Sequence, residues 1–298
     1  MILLWGLGDE GPLRAVHHQL MRLEAEVFLL DQERFPAPTV ALSVDGEVRG
    51  CLRAGAAVID LDQVSAAYLR PYPRSPSSVA RPAGDDELLW SWADLAPIMV
   101  LNRPSAMASN ASKPFQSAMI RSVGFDVPET LVTTDPEAAD EFWSRHGTVV
   151  YKSVSGARSI VSRLSNRHRA RLGDVAWCPT QFQAYIPGVD HRVHVVGGEL
   201  FVAEVATDVD DYRYAGRQGG SVDIRPGSLP EDCADRCRAL ASAMDLPVAG
   251  IDLRRAPDGR WYCFEVNPSP AFTYYERGPD PLIATAIARL LHAWTRGT

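Results

Sequence analysis

Apolar residues along this chain keep two rhythms, three-and-four for helices and two for strands, and the rhythms alternate from end to end. Residues 2–5 predict a short strand. Pro12 opens a helix with Leu13, Val16, Leu20, Leu23 and Val27 at helical spacing, and 28–31 predict the next strand. A hairpin follows, 39–44 and 47–53 around Asp45-Gly46, then a strand at 58–61, helix around 88–92 and a buried strand near 97–101. Ser112, Lys113 and Pro114 begin a helix that stops at Gly124; 127–132 predict a strand. Thr134-Asp135-Pro136-Glu137 has capping-box spacing and starts a helix ending before Gly147. Strands are predicted at 148–152, at 181–188 and on both sides of Gly197-Gly198, and a helix from Pro230 to Met244. An amphipathic helix with Leu282, Ile283, Ile287, Leu290, Leu291 and Trp294 closes the chain. The order predicts an α/β fold.

Composition narrows the class. The 298 residues, 46% hydrophobic and 22% charged, suffice for a sizeable core. A formal net charge of −7 argues against non-specific nucleic-acid binding. Cysteines at 51, 178, 233, 237 and 263 form no CxxC pair and have no histidine at metal-ligand spacing, so reduced thiols are expected. Residues 1–10 have no basic segment and meet acid too early for a secretory signal, and no apolar run approaches membrane-spanning length. The expectation is a cytoplasmic protein with neither membrane nor nucleic acid as partner.

Residues 250–268 hold the sharpest chemistry. Two β-prone runs flank Pro257-Asp258-Gly259, which predicts a hairpin. A turn centred on Asp258-Gly259 puts Asp252 opposite Glu265, and a period of two puts Asn267 on the same face. Carboxylates that close repel unless a cation lies between them, and Mg²⁺ suits a site with few protein oxygens. The plain alternative is the wet face of an antiparallel hairpin. Lys113 at a helix start opposes the helix dipole unless an anion is shared there. Lys152 ends an apolar strand and needs a partner. The small-residue loop 153–159, with Ser155, Gly156 and Arg158, would let backbone amides approach phosphate, although it is no Walker loop. Gly6-Leu7-Gly8-Asp9-Glu10-Gly11 formally fits G-x-G-x-x-G, with Asp31 about where a ribose ligand would stand. Two acids at the pyrophosphate position argue for capping instead of nicotinamide-dinucleotide binding. Arg163, Arg167, His168, Arg169 and Arg171 read as a solvated basic face or a dock for an acidic substrate. The proline-rich loop 68–78 and the loop 273–281 are connectors or substrate contacts, and His191 and His194 have no metal partner nearby.

The succession of Lys113, Lys152, Gln183 to Ile186, Asp190-His191-Arg192-Val193-His194-Val195-Val196-Gly197, Asp211-Tyr212-Arg213, Asp252 and Phe264-Glu265-Val266-Asn267-Pro268 resembles the ATP-grasp ligases of the ribosomal-protein glutamate ligase (RimK) type over about 98–275. Leu30-Asp31-Gln32-Glu33-Arg34-Phe35-Pro36 and Tyr68-Leu69-Arg70-Pro71 are similar to the microviridin-type peptide cyclases, or graspetide synthetases. The resemblance implies an ATP-grasp fold: an N-terminal pre-ATP-grasp α/β domain (1–97), a linker and small α+β lid (98–188) and a larger metal-bearing C-terminal subdomain (189–298). It implies ATP and Mg²⁺ as cofactors. Lys113, Lys152, Ser155, Gly156 and Arg158 would meet phosphates. Gln183, Ala184, Tyr185 and Ile186 would read adenine, and Asp190 the ribose. Arg192 and Arg213 would be catalytic, and Asp252, Glu265 and Asn267 would hold the metal. The implied reaction joins a carboxylate to an amine or hydroxyl through an acyl phosphate, on a peptide or a small carboxylate such as a free amino acid or dipeptide; a homodimer is compatible with it. Ala184 and Ala215 stand where the pattern usually has Glu and Asn, and the short lid lacks the usual glycines. A non-catalytic nucleotide-binding module is therefore a second expectation.

Overall fold

The computed structural model describes residues 1–72, 84–153, 161–207, 221–276 and 280–295. The chain begins with β1 (Ile2–Gly6), α1 (Gly11–Arg22), β2 (Val27–Asp31), β3 (Thr39–Asp45), β4 (Glu47–Ala54), β5 (Ala57–Asp60), β6 (Ala66–Arg70), α2 (Gly84–Leu95) and β7 (Met99–Leu101). The parallel sheet has the order β2-β1-β6-β7, and β3-β4-β5 form an antiparallel meander beside it. Parallel neighbours need a crossover, and α1 supplies it between β1 and β2. Residues 99–101, just past the 97/98 division, thus complete the first sheet.

The second group is α3 (Pro104–Met107), α4 (Lys113–Ser122), β8 (Thr130–Thr133), α5 (Pro136–His146), β9 (Val149–Ser153), β10 (Ser162–Arg163), α6 (Asn166–Arg169) and β11 (Thr180–Ala184). Its antiparallel sheet runs β10-β9-β11-β8. Three sequence expectations change here. The strand expected at 127–132 starts only at Thr130, after Pro128, which lacks an N–H. The cap of α5 is Asp135, not Thr134: its Oδ1 accepts the Glu137 amide at 2.9 Å. The strand expected at 181–188 ends at Ala184, before Pro187-Gly188.

The third group is β12 (Val189–Val196), β13 (Glu199–Thr207), β14 (Val222–Pro226), α7 (Glu231–Ala243), β15 (Val248–Arg255), β16 (Trp261–Asn267) and α8 (Leu282–Thr295). An antiparallel sheet in the order β14-β13-β12-β15-β16 carries it. Val193, Val195, Ile251 and Leu253 face Cys233, Cys237 and Leu240 of α7. The last helix leaves its own sheet: Ile283, Ile287 and Leu291 share one core with Ile2, Leu4, Leu13 and Val16 of the first sheet and α1, and with Val196 and Val248. Leu282 and Trp294, expected on its apolar face, are exposed. Residues 131–182 build a separate small core from Phe142, Trp143, Val149, Leu172 and Phe182. Among the described residues no helix is long and apolar enough to cross a membrane.

Candidate active site

Asp252 and Glu265 are register partners, and Gly250 opposes Asn267. From Trp261 to Cys263 the hairpin pairs with its centre at Asp258, one residue short of the register that joins the two acids. A bulge makes up the difference. Leu253 pairs with Cys263 and Asp252 with Glu265, so Phe264 is the extra residue. Trp261 and Cys263 point into the core beneath. Without the bulge, a strict period of two would send Glu265 and Asn267 the same way.

Cations from three elements meet this pair. Lys113, first residue of α4, places Nζ 2.5 Å from Glu265 Oε1, and Lys152 of β9 lies 3.6 Å from Oε2. Ser112 caps α4 and fixes the lysine at the helix start. Val149 and Tyr151 face the small core, which turns Val150 and Lys152 toward the cleft. Arg192, register partner of Asp252, donates from Nη1 to Asp252 Oδ1 at 2.6 Å. Its side chain is only 7% exposed, so it is no strand-surface arginine. Next to it His194 is buried, and burial, then the Arg192 charge, holds its imidazole well below the ordinary value. Accordingly its Nε2 accepts from Arg192 Nε at 3.5 Å.

A cleft opens between the second and third sheets, lined by Lys152, Gln183 to Ile186, Asp190, Asp252 and Glu265 among others. Gln183 to Ile186 therefore reach the cleft, but several backbone groups there are already engaged. The amides of Ala184 and Tyr185 donate to Glu129 and Thr148 carbonyls, and the Ile186 carbonyl accepts from Arg254 Nη1. Asp190 forms a bidentate pair with Arg254 at 2.6 and 2.9 Å. Burial raises its carboxyl above the usual range, and the guanidinium pulls it partly back. Sequence reasoning missed Arg254, yet it lies two residues after Asp252 and shares its face by strand period. Ser155, Gly156, Arg158, Arg213, Ala215 and the loop 73–78 lie outside the described residues.

Other expectations resolve locally. Glu10 accepts the Leu13 amide at 2.8 Å and caps α1, and it pairs with Arg70 at 2.7 Å, so the glycine-containing loop is filled by its own acid. The basic cluster disperses: Arg163 lies 4.1 Å over the Tyr185 ring, Arg169 lies over Trp143, and Arg171 pairs with Asp174. Cys233, Cys237 and Cys263 are buried free thiols. Among the described residues no three His, Cys, Asp or Glu side chains form a metal cluster; Asp252 and Glu265 are paired, and Asn267, two residues on, accepts the Ser269 amide with its Oδ1 at 2.8 Å.

A family model described as the RimK-like ATP-grasp domain matches residues 111–291, more than half of the chain. The chain belongs to this family. It is an ATP-dependent ligase of the ATP-grasp class, and the family uses ATP and Mg²⁺. Solved structures agree over nearly the full length of the ATP-grasp chain. The macrocyclase MdnC from Microcystis aeruginosa MRC, bound with precursor peptide MdnA, has a TM-score of 0.82 at 24% identity, with 97% of this chain and 98% of that one covered. A RiPP-associated ATP-grasp ligase from Chryseobacterium gregarium, in complex with ADP and a leader and core peptide, gives 0.84 at 21% identity and 98% and 96% coverage. The ATP-grasp ligase PsnB complexed with minimal precursor gives 0.79 at 26% identity and 99% and 98% coverage. No curated protein sequence matches.

Proposed function

We propose that this ATP-grasp protein activates a carboxylate of a peptide with ATP and joins it to an amine or hydroxyl, as a peptide-modifying or macrocyclising ligase. The observation that carries the reading is the pairing of Asp252 with Glu265 amid Lys113, Lys152 and Arg192, at one end of the cleft that Gln183 to Ile186 and Asp190 line. The donor set fits Mg²⁺: hard oxygens, few from the protein, the rest left to phosphates and water. Asp252, Glu265 and Asn267 would hold the metal, which supplies neutralisation of phosphate charge. Lys113, Lys152 and Arg192, now paired with the same acids, would turn to phosphate oxygens. Ser155, Gly156, Arg158 and Arg213 are assigned to the same phosphates by resemblance. Gln183 to Ile186 would border adenine and Asp190 the ribose, with the small sheet β10-β9-β11-β8 as the lid. The γ-phosphoryl group passes to the substrate carboxylate, the acceptor attacks the acyl carbon, and phosphate leaves. Positioning and electrostatics carry both steps.

Peptide rather than free amino acid is supported by MdnC bound with precursor peptide MdnA and by PsnB complexed with precursor peptide PsnA2. Co-expression with short acidic peptides encoded beside the gene, followed by mass spectrometry, should give products lighter by whole waters. ADP release with free amino acids or dipeptides but no such peptide would overturn the substrate assignment. Glu265→Gln should abolish ADP formation and leave the thermal transition in place; full turnover in that variant would remove the metal assignment.

A further inference from the structure

The four residues that end the metal-bearing hairpin, Asn267-Pro268-Ser269-Pro270, are held from the first sheet. Neither proline has an N–H to donate. The one amide after Asn267, that of Ser269, is taken by Asn267 Oδ1 at 2.8 Å. What the loop presents outward is carbonyl oxygen, and two buried donors meet it. Asn102, which follows β7, donates from Nδ2 to Pro268 O at 2.5 Å and to Val248 O at 2.6 Å. Its Oδ1 accepts the Val248 amide at 3.1 Å. One side chain thus ties the residue after Asn267 to the first residue of β15, the strand of Asp252. Arg70, at the end of β6, donates from Nη1 to Pro270 O at 3.1 Å. Its remaining nitrogens are fixed on Glu10, which in turn caps α1. The side chains of Arg70 and Glu10 are 7% and 9% exposed, and Asn102 is 3% exposed. Strands β6 and β7 are parallel neighbours, so both donors stand at the carboxyl ends of adjacent strands of the first sheet.

From this arrangement we infer that Arg70 and Asn102 are positioning residues for the metal set. They hold the 267–270 loop against the start of β15, so that Asn267 stays beside the Asp252–Glu265 pair. The inference rests on the reading of Asp252, Glu265 and Asn267 as metal ligands. Outer partners of metal ligands act by fixing their orientation, and losing one costs about 10–100-fold in metal affinity.

The test is Mn²⁺ binding in the presence of ADP, followed by electron paramagnetic resonance on the full chain, for wild type, Asn267→Ala, Asn102→Asp and Arg70→Lys. Asn102→Asp removes both donated bonds at constant size. Arg70→Lys keeps the charge opposite Glu10 and gives up the fork that reaches Pro270. Both should weaken Mn²⁺ by about 10–100-fold, as Asn267→Ala does, with ADP binding in EDTA unchanged. Wild-type Mn²⁺ affinity in the two outer variants, with Asn267→Ala weakened, would overturn the inference and leave the metal reading standing. Wild-type affinity in Asn267→Ala would instead remove that reading, and the inference with it. If Asn102→Asp does not fold, Arg70→Lys decides alone; a lowered melting temperature with unchanged Mn²⁺ affinity there means a purely structural brace and sinks the proposal.

Discussion

Gly250 has no room for a side chain. A Cβ there would lie 2.1 Å from Arg192 Nη2 and 2.7 Å from Pro270 Cβ. Gly250→Ala must therefore displace either the guanidinium that pairs with Asp252 or the proline loop after Asn267. ADP formation should fall at least about 100-fold, since a misplacement of about 1 Å near the chemistry suffices for that; steady-state turnover beside a thermal melt would reveal a milder effect. His194 makes a second prediction. Above the ordinary imidazole value of 6.5 neither folded nor unfolded chain binds the proton. Below it the unfolded chain does and the folded one, holding His194 neutral, does not. Stability therefore declines as pH falls from 6.5, by at most about 1.4 kcal/mol per pH unit from this group. Denaturant midpoints at pH 7 and pH 5.5 should differ less in His194→Gln than in wild type. At this scale the sequence was informative about which residues carry charge and silent about who pairs with whom. Arg254 on Asp190 and Asn102 on Pro268 join residues 64 and 166 positions apart, and no local pattern encodes such pairs.

Among elements, the hairpin of β15 and β16 is the instructive case. Opposing acids were legible from its turn and alternation, but the turn alone gives a register one residue off. The bulge at Phe264 restores it, and an extra residue inside an apolar run has no local signature. Turns that demand special dihedrals were easier. Gly197 and Gly198 have φ of +56° and +103°, as a two-residue hairpin loop requires. The α5 cap was placed one residue early because Thr134 and Asp135 are both good caps; Pro136 at the first helical position favours Asp135. Asp135→Ala should cost about 1 kcal/mol. Because Ala139, Phe142 and Trp143 of α5 pack into the small core of residues 131–182, the loss should appear in hydrogen exchange of α5, β8 and β11 and leave β12 and β15 unchanged.

Across the whole molecule, the linear division at 97/98 and 188/189 catches the order of the sheets but not their sharing of cores. A chain read from left to right gives no hint that its last helix packs against its first. Ile283, Ile287 and Leu291 of α8 cover Leu13, Val16 and Leu20 of α1 and reach Val196 and Val248 of the third sheet. Ending the chain at Pro281 should therefore abolish a single cooperative thermal transition in both the first and the third sheets; a melt like that of the full chain would refute the shared core. The second sheet, with its own core, is the part free to respond on its own. The same packing sets a schedule for biosynthesis. A nascent chain that has already made β1 and α1 must leave their apolar faces uncovered while more than two hundred further residues are added, until Ile283 to Leu291 emerge. Those segments are thus exposed to chaperones and proteases until α8 is made, and a stop before Ile283 endangers β1 and α1, far upstream of it.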